Sequence, residues 1–386
     1  MKPRVVLSGV NLVDMGPLTV FKDALASLAL RYGDQFEIVA LVHRADRFDT
    51  ANVTYLEYPR IKSSWLRRLR FEYIECRRLS VELEPELWLS MHDISPNVVA
   101  KSRAVYCHNP APFYRFTLGE SLFDWKFGAF TLLYRFLYGV NIQKNDFVVV
   151  QQSWLRQEFK KRYGVSRVIV AHPDVKAVEC SLDTRSPDRI GEKYYFFYPA
   201  YPRTFKNLEI VLDAARELEA SGFCEFEIWL TVDGTVNRYA ESIVRRYGDV
   251  RSVRWLGLLS RDEVFQRYGE ADCLLFPSKL ESWGLPITEF KTTGKPILAA
   301  DLPYAHETVG DYGRAAFFTA TDSSALAQLM KSAAVGADVF RATAASPIAP
   351  LFAKDWAALW RILLESRVAE RSTLLPEPTV IERIEH

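Results

Sequence analysis

The chain has 386 residues, of which 49% are hydrophobic and 25% charged, with a net charge of +1. That length is more than one hydrophobic core usually serves, so two domains are expected, and the charge balance leaves no case for a dedicated nucleic-acid binder. The balance is uneven: residues 1–180 carry 25 Lys and Arg against 19 Asp and Glu, and the remainder 24 against 29. Two readings of this are open, chance and an anionic partner of the first half.

Short apolar runs alternate with amphipathic segments from the start of the chain. In the first half the runs are Val5–Val10, Glu37–Val42, Val53–Tyr58, Leu87–Met91, Ala104–Cys107, Phe147–Val150 and Val168–Ala171. Helical periodicity covers Thr19–Tyr32, Ser64–Leu83, Phe127–Gly139 and Trp154–Tyr163 between them. Strands alternating with helices need crossovers, and crossovers make a parallel sheet. Residues 179–192 are polar, with little periodicity, and read as a linker. The alternation restarts with runs at Tyr194–Tyr198, Phe226–Val232, Ser252–Leu256, Asp272–Phe276, Pro296–Ala300 and Ala315–Phe318. Helical patterns follow at Leu208–Ala220, Val236–Tyr247, Arg261–Gly269, Pro286–Thr293 and Ser323–Ala334. A last helix near Trp356–Arg367 lines up Trp356, Leu359, Trp360 and Leu363 as a packing stripe. The expected organisation is an N-terminal α/β domain (1–178), the linker, a C-terminal α/β domain (193–352), a helix (353–370) packing back on the first domain, and a polar tail (371–386).

Five cysteines are scattered at 76, 107, 180, 224 and 273 without a C-x-x-C pair. They read as buried thiols of a reducing compartment. The first residues lack the apolar core of a signal peptide, and the apolar stretch Phe127–Val140 is interrupted by Arg135 and is too short to span a bilayer. A cytoplasmic location is expected.

Several motifs are missing. There is no G-x-G-x-x-G fingerprint, no Walker A sequence, no G-x-S-x-G elbow and no D-x-D pair. An anionic ligand held without a metal would need cations, backbone amides and a helix dipole. The segment from Leu275 to Glu289 offers such parts. It follows an apolar run, and Pro286 suits the first position of a helix. The Gly284–Leu285 amides then sit ahead of a helix N-terminus, a natural anion site, and Gly284 allows close backbone approach. Glu281 and Glu289 flank that site and can accept hydroxyl protons.

The Glu281-x7-Glu289 spacing resembles the retaining GT-B glycosyltransferases, above all glycosyltransferase family 4. The likeness extends to Asp272-Cys-Leu-Leu-Phe-Pro-Ser, to Gly294-Lys-Pro-Ile-Leu-Ala-Ala-Asp and to Leu256-Gly-Leu-Leu-Ser-Arg-Asp-Glu-Val, and covers about residues 195–320. It implies two Rossmann-like domains facing across a cleft, the C-terminal one binding a nucleotide-sugar. Lys206-Asn207 matches the family's phosphate-binding Lys-Asn, with Arg203 three residues earlier where the common spacing is longer. Arg203 is either a second phosphate ligand or a solvated loop cation. By the same likeness Glu281 orients the sugar, Glu289 binds the ribose, and Ser282, Trp283, Gly284 and Leu285 complete the donor site.

The first half is less similar. The family's glycine-rich loop corresponds to Val13–Thr19, with Gly16, Pro17, Leu18 and Thr19 as loop candidates. His108, after the strand-like Ala104–Cys107, matches a histidine facing the donor sugar, with Asn109 beside it; a purely structural histidine is the other reading. His92 and Asp93 end another strand at the same sheet edge and are acceptor or structural residues. Trp65, Arg67, Arg68, Arg70, Arg77 and Arg78 crowd one predicted helix, and Phe113–Phe116 adds aromatics, which suits either an anionic lipid surface or a solvated basic face.

The function implied is metal-independent, retaining transfer of a sugar from a nucleotide-sugar to a glycan or lipid-linked glycan acceptor, in bacterial surface-polysaccharide (O-antigen or capsule) synthesis, at the cytoplasmic face of the membrane. No cofactor, metal or nucleic-acid partner is expected. Two alternatives stay open: a sugar-nucleotide 2-epimerase on the same fold, and a non-catalytic sugar or nucleotide binder.

Overall fold

The computed structural model describes residues 2–13, 15–114, 125–173, 193–341 and 346–374. The expected linker, Arg115, Phe116, Cys180 and the tail from 375 onward lie outside them. The chain groups into two compact units, one of residues 1–109, 136–174 and 349–386, the other of 110–135 and 175–348.

In the first unit seven strands and their crossovers follow the sequence pattern. They are β1 (Arg4–Ser8), β2 (Glu37–Val42), β3 (Val53–Glu57), β4 (Leu87–Ser90), β5 (Ser102–Cys107), β6 (Phe147–Val150) and β7 (Val168–Ala171). Their order in the sheet is 7-6-5-4-1-2-3, with parallel pairing throughout. Alternate side chains serve opposite faces. Val5, Leu7, Ile38, Ala40, Leu87 and Leu89 enter one core, and Val6, Val39, Leu41 and Trp88 enter the other. Burial on both faces explains why these runs are apolar without interruption.

The first helix, α1 (Met15–Tyr32), packs into the first of these cores through Phe21, Leu25 and Leu28. It starts earlier than the periodicity shows, so Gly16, Pro17, Leu18 and Thr19 form its first turn and are not loop residues. The predicted helix Ser64–Leu83 is interrupted: α2 (Trp65–Arg70) and α3 (Cys76–Leu83) are joined by a π turn at Phe71–Glu75. Of the next two helices, α5 (Ser153–Tyr163) belongs to this unit, and α4 (Trp125–Gly139) is divided between the units after Arg135. Residues 110–135, read from sequence as part of the first domain, group with the second unit. The rings of Tyr114 and Phe127 lie 6.3 and 5.4 Å from that of Phe205.

The second unit repeats the plan. Strands β8 (Tyr194–Tyr198), β9 (Phe226–Leu230), β10 (Val253–Trp255), β11 (Cys273–Phe276), β12 (Ile297–Ala300) and β13 (Ala315–Phe318) stand in the order 10-9-8-11-12-13, all parallel. Their helices are α6 (Leu208–Ala220), α7 (Arg238–Tyr247), α8 (Arg261–Glu270), α9 (Leu285–Lys291), α10 (Pro303–Val309) and α11 (Ser323–Ala334). The short α10 has no counterpart in the periodicity, because seven residues are too few to show one. This 3-2-1-4-5-6 order is that of a Rossmann sheet, and it reverses between β8 and β11.

The chain then returns to the first unit. Arg156 on α5 donates to the carbonyls of Ala349, Pro350 and Leu351 at 2.7, 3.3 and 2.5 Å. This pins the entering strand β14 (Phe352–Ala353) beside β7. The last helix, α12 (Trp356–Leu374), runs past the predicted end, and Trp356, Leu359, Trp360 and Leu363 are buried in the core shared with α1. The C-terminal helix thus packs on the N-terminal sheet.

The π turn has a local consequence. It carries Glu72, fully buried, against His92, whose Nδ1 lies 3.3 Å from Oε1 of Glu72. The other ring nitrogen is 3.0 Å from Ser8 Oγ and 3.4 Å from Ser90 Oγ, at the paired ends of β1 and β4. Arg68 donates to the His92 carbonyl at 2.8 Å. Burial pushes the Glu72 carboxyl up to about 8 and the His92 imidazole down to about 3. Both groups are therefore neutral at pH 7, and the contact is not an ion pair.

Glu72 keeps its proton in the folded state up to pH near 8, whereas in the unfolded chain it loses it near its usual value of 4.5. Between these values the folded state binds more protons, so rising pH lowers stability. His92 has the opposite effect, confined to the window from about 3 to its usual 6.5. From pH 6.5 to 8 the opposing His92 effect is over and the Glu72 slope remains. Thermal melts over that window should show stability falling less steeply in Glu72→Gln than in wild type; equal slopes would refute the assignment.

Candidate active site

In a doubly wound sheet ligands gather beyond the carboxyl ends of the strands where strand order reverses. In the second unit that point lies between β8 and β11, and the two loops leaving it carry Lys206 and Glu281. The loop after β8 ends in a single 3-10 turn, Thr204–Lys206. It is closed by Asn207 in the left-handed region, at φ 57°. The buried Asn207 side chain donates to the carbonyls of Pro277 and Ala320 at 3.2 and 2.9 Å, so its amide nitrogen is committed to holding the loop. Tyr198, at the end of β8, donates to the Lys206 carbonyl at 2.8 Å. Lys279 N–H donates to the Phe205 carbonyl at 2.7 Å, and Tyr304 to that of Ser278 at 2.6 Å. These bonds tie the two loops together.

Lys206 Nζ and a Glu281 carboxylate oxygen form an ion pair, with side chains 17% and 14% exposed. Lys206 also lies over the rings of Phe205 and Phe276, at 5.6 and 5.8 Å. Tyr198 and Tyr304, both buried, have hydroxyl pKa values pushed well up by burial and then by the Glu281 charge. The pair is a cation and an anion with little solvent around them, where charge interactions gain strength.

Gly284 turns the chain into α9 at φ 89°, a conformation open to glycine, and a Cβ there would meet the Phe276 ring at 3.4 Å. Leu285 is the first residue of the helix and Pro286 the second, one place later than expected. Trp283 is buried and donates to Thr288 Oγ1 at 2.9 Å, while Ser282 and Leu285 are half-buried. Glu289 lies one turn inside α9. Its Oε2 accepts from the Tyr268 hydroxyl at 3.1 Å and its Oε1 stands 3.6 Å from Arg261 Nη2. Arg203 is half-buried with its guanidinium over the Tyr201 ring at 5.4 Å.

The first-unit candidates end β4 and β5. His92 is 1% exposed, with Nε2 on Ser8 and Ser90 and Nδ1 buried against Glu72, so it offers nothing to an acceptor. Asp93, at φ 74°, accepts at Oδ1 from the His108 and Asn109 N–H groups at 2.6 and 3.0 Å and from the Tyr138 hydroxyl at 2.8 Å. It shapes the loop that presents His108. The His108 ring lies against Tyr106 at 4.5 Å between centroids, and burial lowers its pKa against the pull of Asp93. The imidazole is neutral, and its buried Nε2 has no hydrogen-bond partner among the described residues. Asn109 accepts from Tyr138 at its carbonyl, at 2.9 Å. Among the α1 candidates, Pro17 and Thr19 are exposed and Gly16 and Leu18 half-buried.

The sequence reading missed Arg261 and Tyr268, which hold the Glu289 carboxylate, Tyr198 and Tyr304, which hold the backbones of the two loops, and the inward Glu72. Glu72 had a signal: it shares the 72-76-80 stripe with buried Cys76 and Ser80. No group of three potential metal ligands occurs among the described residues.

Residues 183–335 match the family described as Glycosyl transferases group 1. No curated protein matches the chain in sequence. Among solved structures, a glycosyltransferase from Rickettsia africae is 13% identical, with 87% of this chain and 90% of that one covered and a TM-score of 0.61. The lipopolysaccharide outer core galactosyltransferase WaaB, in its apo form, is 17% identical over 87% and 91%, with a TM-score of 0.59. Anabaena HepE in complex with UDP and glucose is 13% identical over 96% and 99%, with a TM-score of 0.53. Residues 183–335 are thus a glycosyl transferases group 1 domain, and the chain is a glycosyltransferase with the GT-B fold.

Proposed function

We propose that this chain transfers a sugar from a nucleoside diphosphate sugar to a glycan or lipid-linked glycan acceptor, with retention of configuration and without a metal. The observation that carries this reading is the Lys206–Glu281 pair at the strand-order reversal of the group 1 domain. A donor diphosphate brings two negative charges and needs a cation where solvent is scarce. Lys206 supplies it, and stabilises the diphosphate as its charge grows in the transition state. Glu281, released from Lys206, accepts hydroxyl protons of the sugar, and Glu289 those of the ribose. Ser282, Trp283, Gly284 and Leu285 form the wall of the same pocket, and Arg203 adds a second cation. His108, neutral with a spare nitrogen, bonds a sugar hydroxyl. HepE is seen with UDP and glucose, which makes UDP-sugars the first donors to try.

The work site we propose is the cytoplasmic face of a membrane, as part of surface-polysaccharide synthesis. No described helix is long and apolar enough to cross a bilayer. The α2–α3 segment instead exposes Leu66, Ile74 and Val81 by 79%, 53% and 58%. Exposed Lys62, Arg67, Arg70, Arg77 and Arg78 lie along the same segment, Arg70 being 3.5 Å from Glu75. Apolar side chains among arginines suit an anionic lipid surface, where each cation contributes about 1 kcal/mol.

Two experiments test these statements. Lys206→Ala and Glu281→Ala should each lower turnover about 100-fold or more, the scale for losing one group aimed at developing charge, while the fold persists by circular dichroism. Near-normal release of UDP from a UDP-sugar in either variant refutes the site, and a product of inverted anomeric configuration by NMR refutes retention. Co-sedimentation with phosphatidylglycerol vesicles should fall at least about tenfold in the double variant Arg67→Glu/Arg70→Glu, from the loss of two cations near the surface. Equal sedimentation of wild type with neutral phosphatidylcholine vesicles would refute the anionic docking.

A further inference from the structure

Glu289 does not face solvent alone. Its carboxylate is 14% exposed, and two groups from α8 act on it. Tyr268, 1% exposed, donates its hydroxyl to Oε2 at 3.1 Å and so fixes the plane of the carboxylate from inside the unit. Arg261, 58% exposed at its side chain, sets a guanidinium nitrogen 3.6 Å from Oε1 on the open side. Arg261 is itself placed with care. It is the first residue of α8, whose entry is fixed by a complete capping box between Ser260 and Glu263. Its guanidinium lies over the Phe265 ring at 5.5 Å, one turn on. The cation is thus held beside the carboxylate from a rigid element.

We infer that Arg261 is a positioning residue for donor binding, which keeps Glu289 charged and aimed so that it accepts the hydroxyls of a nucleoside diphosphate's ribose. This rests on the reading of Glu289 given above. The reason is electrostatic. A carboxylate must shed water to lie in this pocket, and burial raises its pKa, which favours the neutral form. A neutral carboxyl is a poorer acceptor for two hydroxyls than a carboxylate is. Arg261 and, second, the Tyr268 hydroxyl oppose that shift. Tyr268 cannot leave, being buried, but a half-exposed arginine can stay in place while a ligand reaches the remaining lone pairs.

The sign follows. Affinity for the nucleotide falls as pH drops through the pKa of Glu289, which lies above its usual 4.5. Removing Arg261 raises that pKa further, so the acid limb of binding moves to higher pH. The test is calorimetric titration of the full chain with UDP and with GDP from pH 4.5 to 8. Wild type, Arg261→Ala, Arg261→Lys and Glu289→Gln are compared. For Arg261→Ala we expect affinity at pH 7.5 to weaken about twofold to fivefold, the scale of a half-exposed ion pair. Its acid limb should shift upward, with Arg261→Lys restoring the limb.

A uniform loss at every pH, with the limb unmoved, would make Arg261 a mere packing residue and overturn the inference. Glu289→Gln separates the two claims. If it weakens binding and abolishes the acid limb while Arg261→Ala leaves the limb in place, the ribose reading stands and the role of Arg261 falls. If Glu289→Gln binds like wild type, or wild type binds neither nucleotide, the reading of Glu289 itself falls.

Discussion

The reversal of strand order in the second sheet is the constraint on which the candidate site depends. A parallel sheet with helices on both faces admits almost no polar side chain along its strands. Polar chemistry is therefore driven to the carboxyl ends. At most of those ends the next loop is occupied by the adjacent crossover. Between β8 and β11 the chain leaves in opposite directions, and the two loops are free to converge on the space between them. Lys206 and Glu281 are the charged side chains that these loops bring together, and the buried Tyr198, Asn207 and Tyr304 exist to hold the loops' backbones.

Two buried acid–base contacts in this chain are resolved in opposite ways. Glu72 and His92 are completely desolvated and are cheaper to keep neutral than to ionise. Lys206 and Glu281 retain some solvent contact and stay close enough to pair as ions. The difference decides what each can do. A neutral, sealed contact fixes the ends of β1 and β4. An ionic, partly open one can exchange its partner for an incoming anion, because the incoming charge replaces the one given up.

Much of this was legible in the sequence, for physical reasons. Strands buried on both faces must be continuous apolar runs, so Glu37–Val42, Phe147–Val150 and Tyr194–Tyr198 end where the runs end. Gly284 and Pro286 mark a turn into a helix by their own backbone restrictions, though the helix starts one residue before the proline. Less visible were features set by tertiary contact. The π turn at Phe71–Glu75 has no period of its own and hides in an unbroken helical pattern. His92 and Asp93 stand at the expected sheet edge, but only the fold reveals that their side chains are spent on Ser8 and on the His108 loop. Gly16–Thr19 have the composition of a loop and still enter α1, since a proline and a glycine are both tolerated in a first turn.

The division of labour in the second unit bears on how the proposed site reaches its working state. The backbone at Lys206 is anchored by the Tyr198 hydroxyl and by the Asn207 amide, and that at Ser278 by Tyr304. The bonds by which these anchors hold the loops end on backbone carbonyls, not on the Lys206 ammonium group or the Glu281 carboxylate. When a diphosphate takes the lysine from the glutamate, the loops need not move, and the change falls on side-chain torsions alone. Two tyrosine hydroxyls with strongly raised pKa values stay protonated throughout and keep donating. Reorganisation is thereby confined to the two groups proposed to meet the donor, which is what preorganised electrostatic stabilisation of a departing phosphate requires.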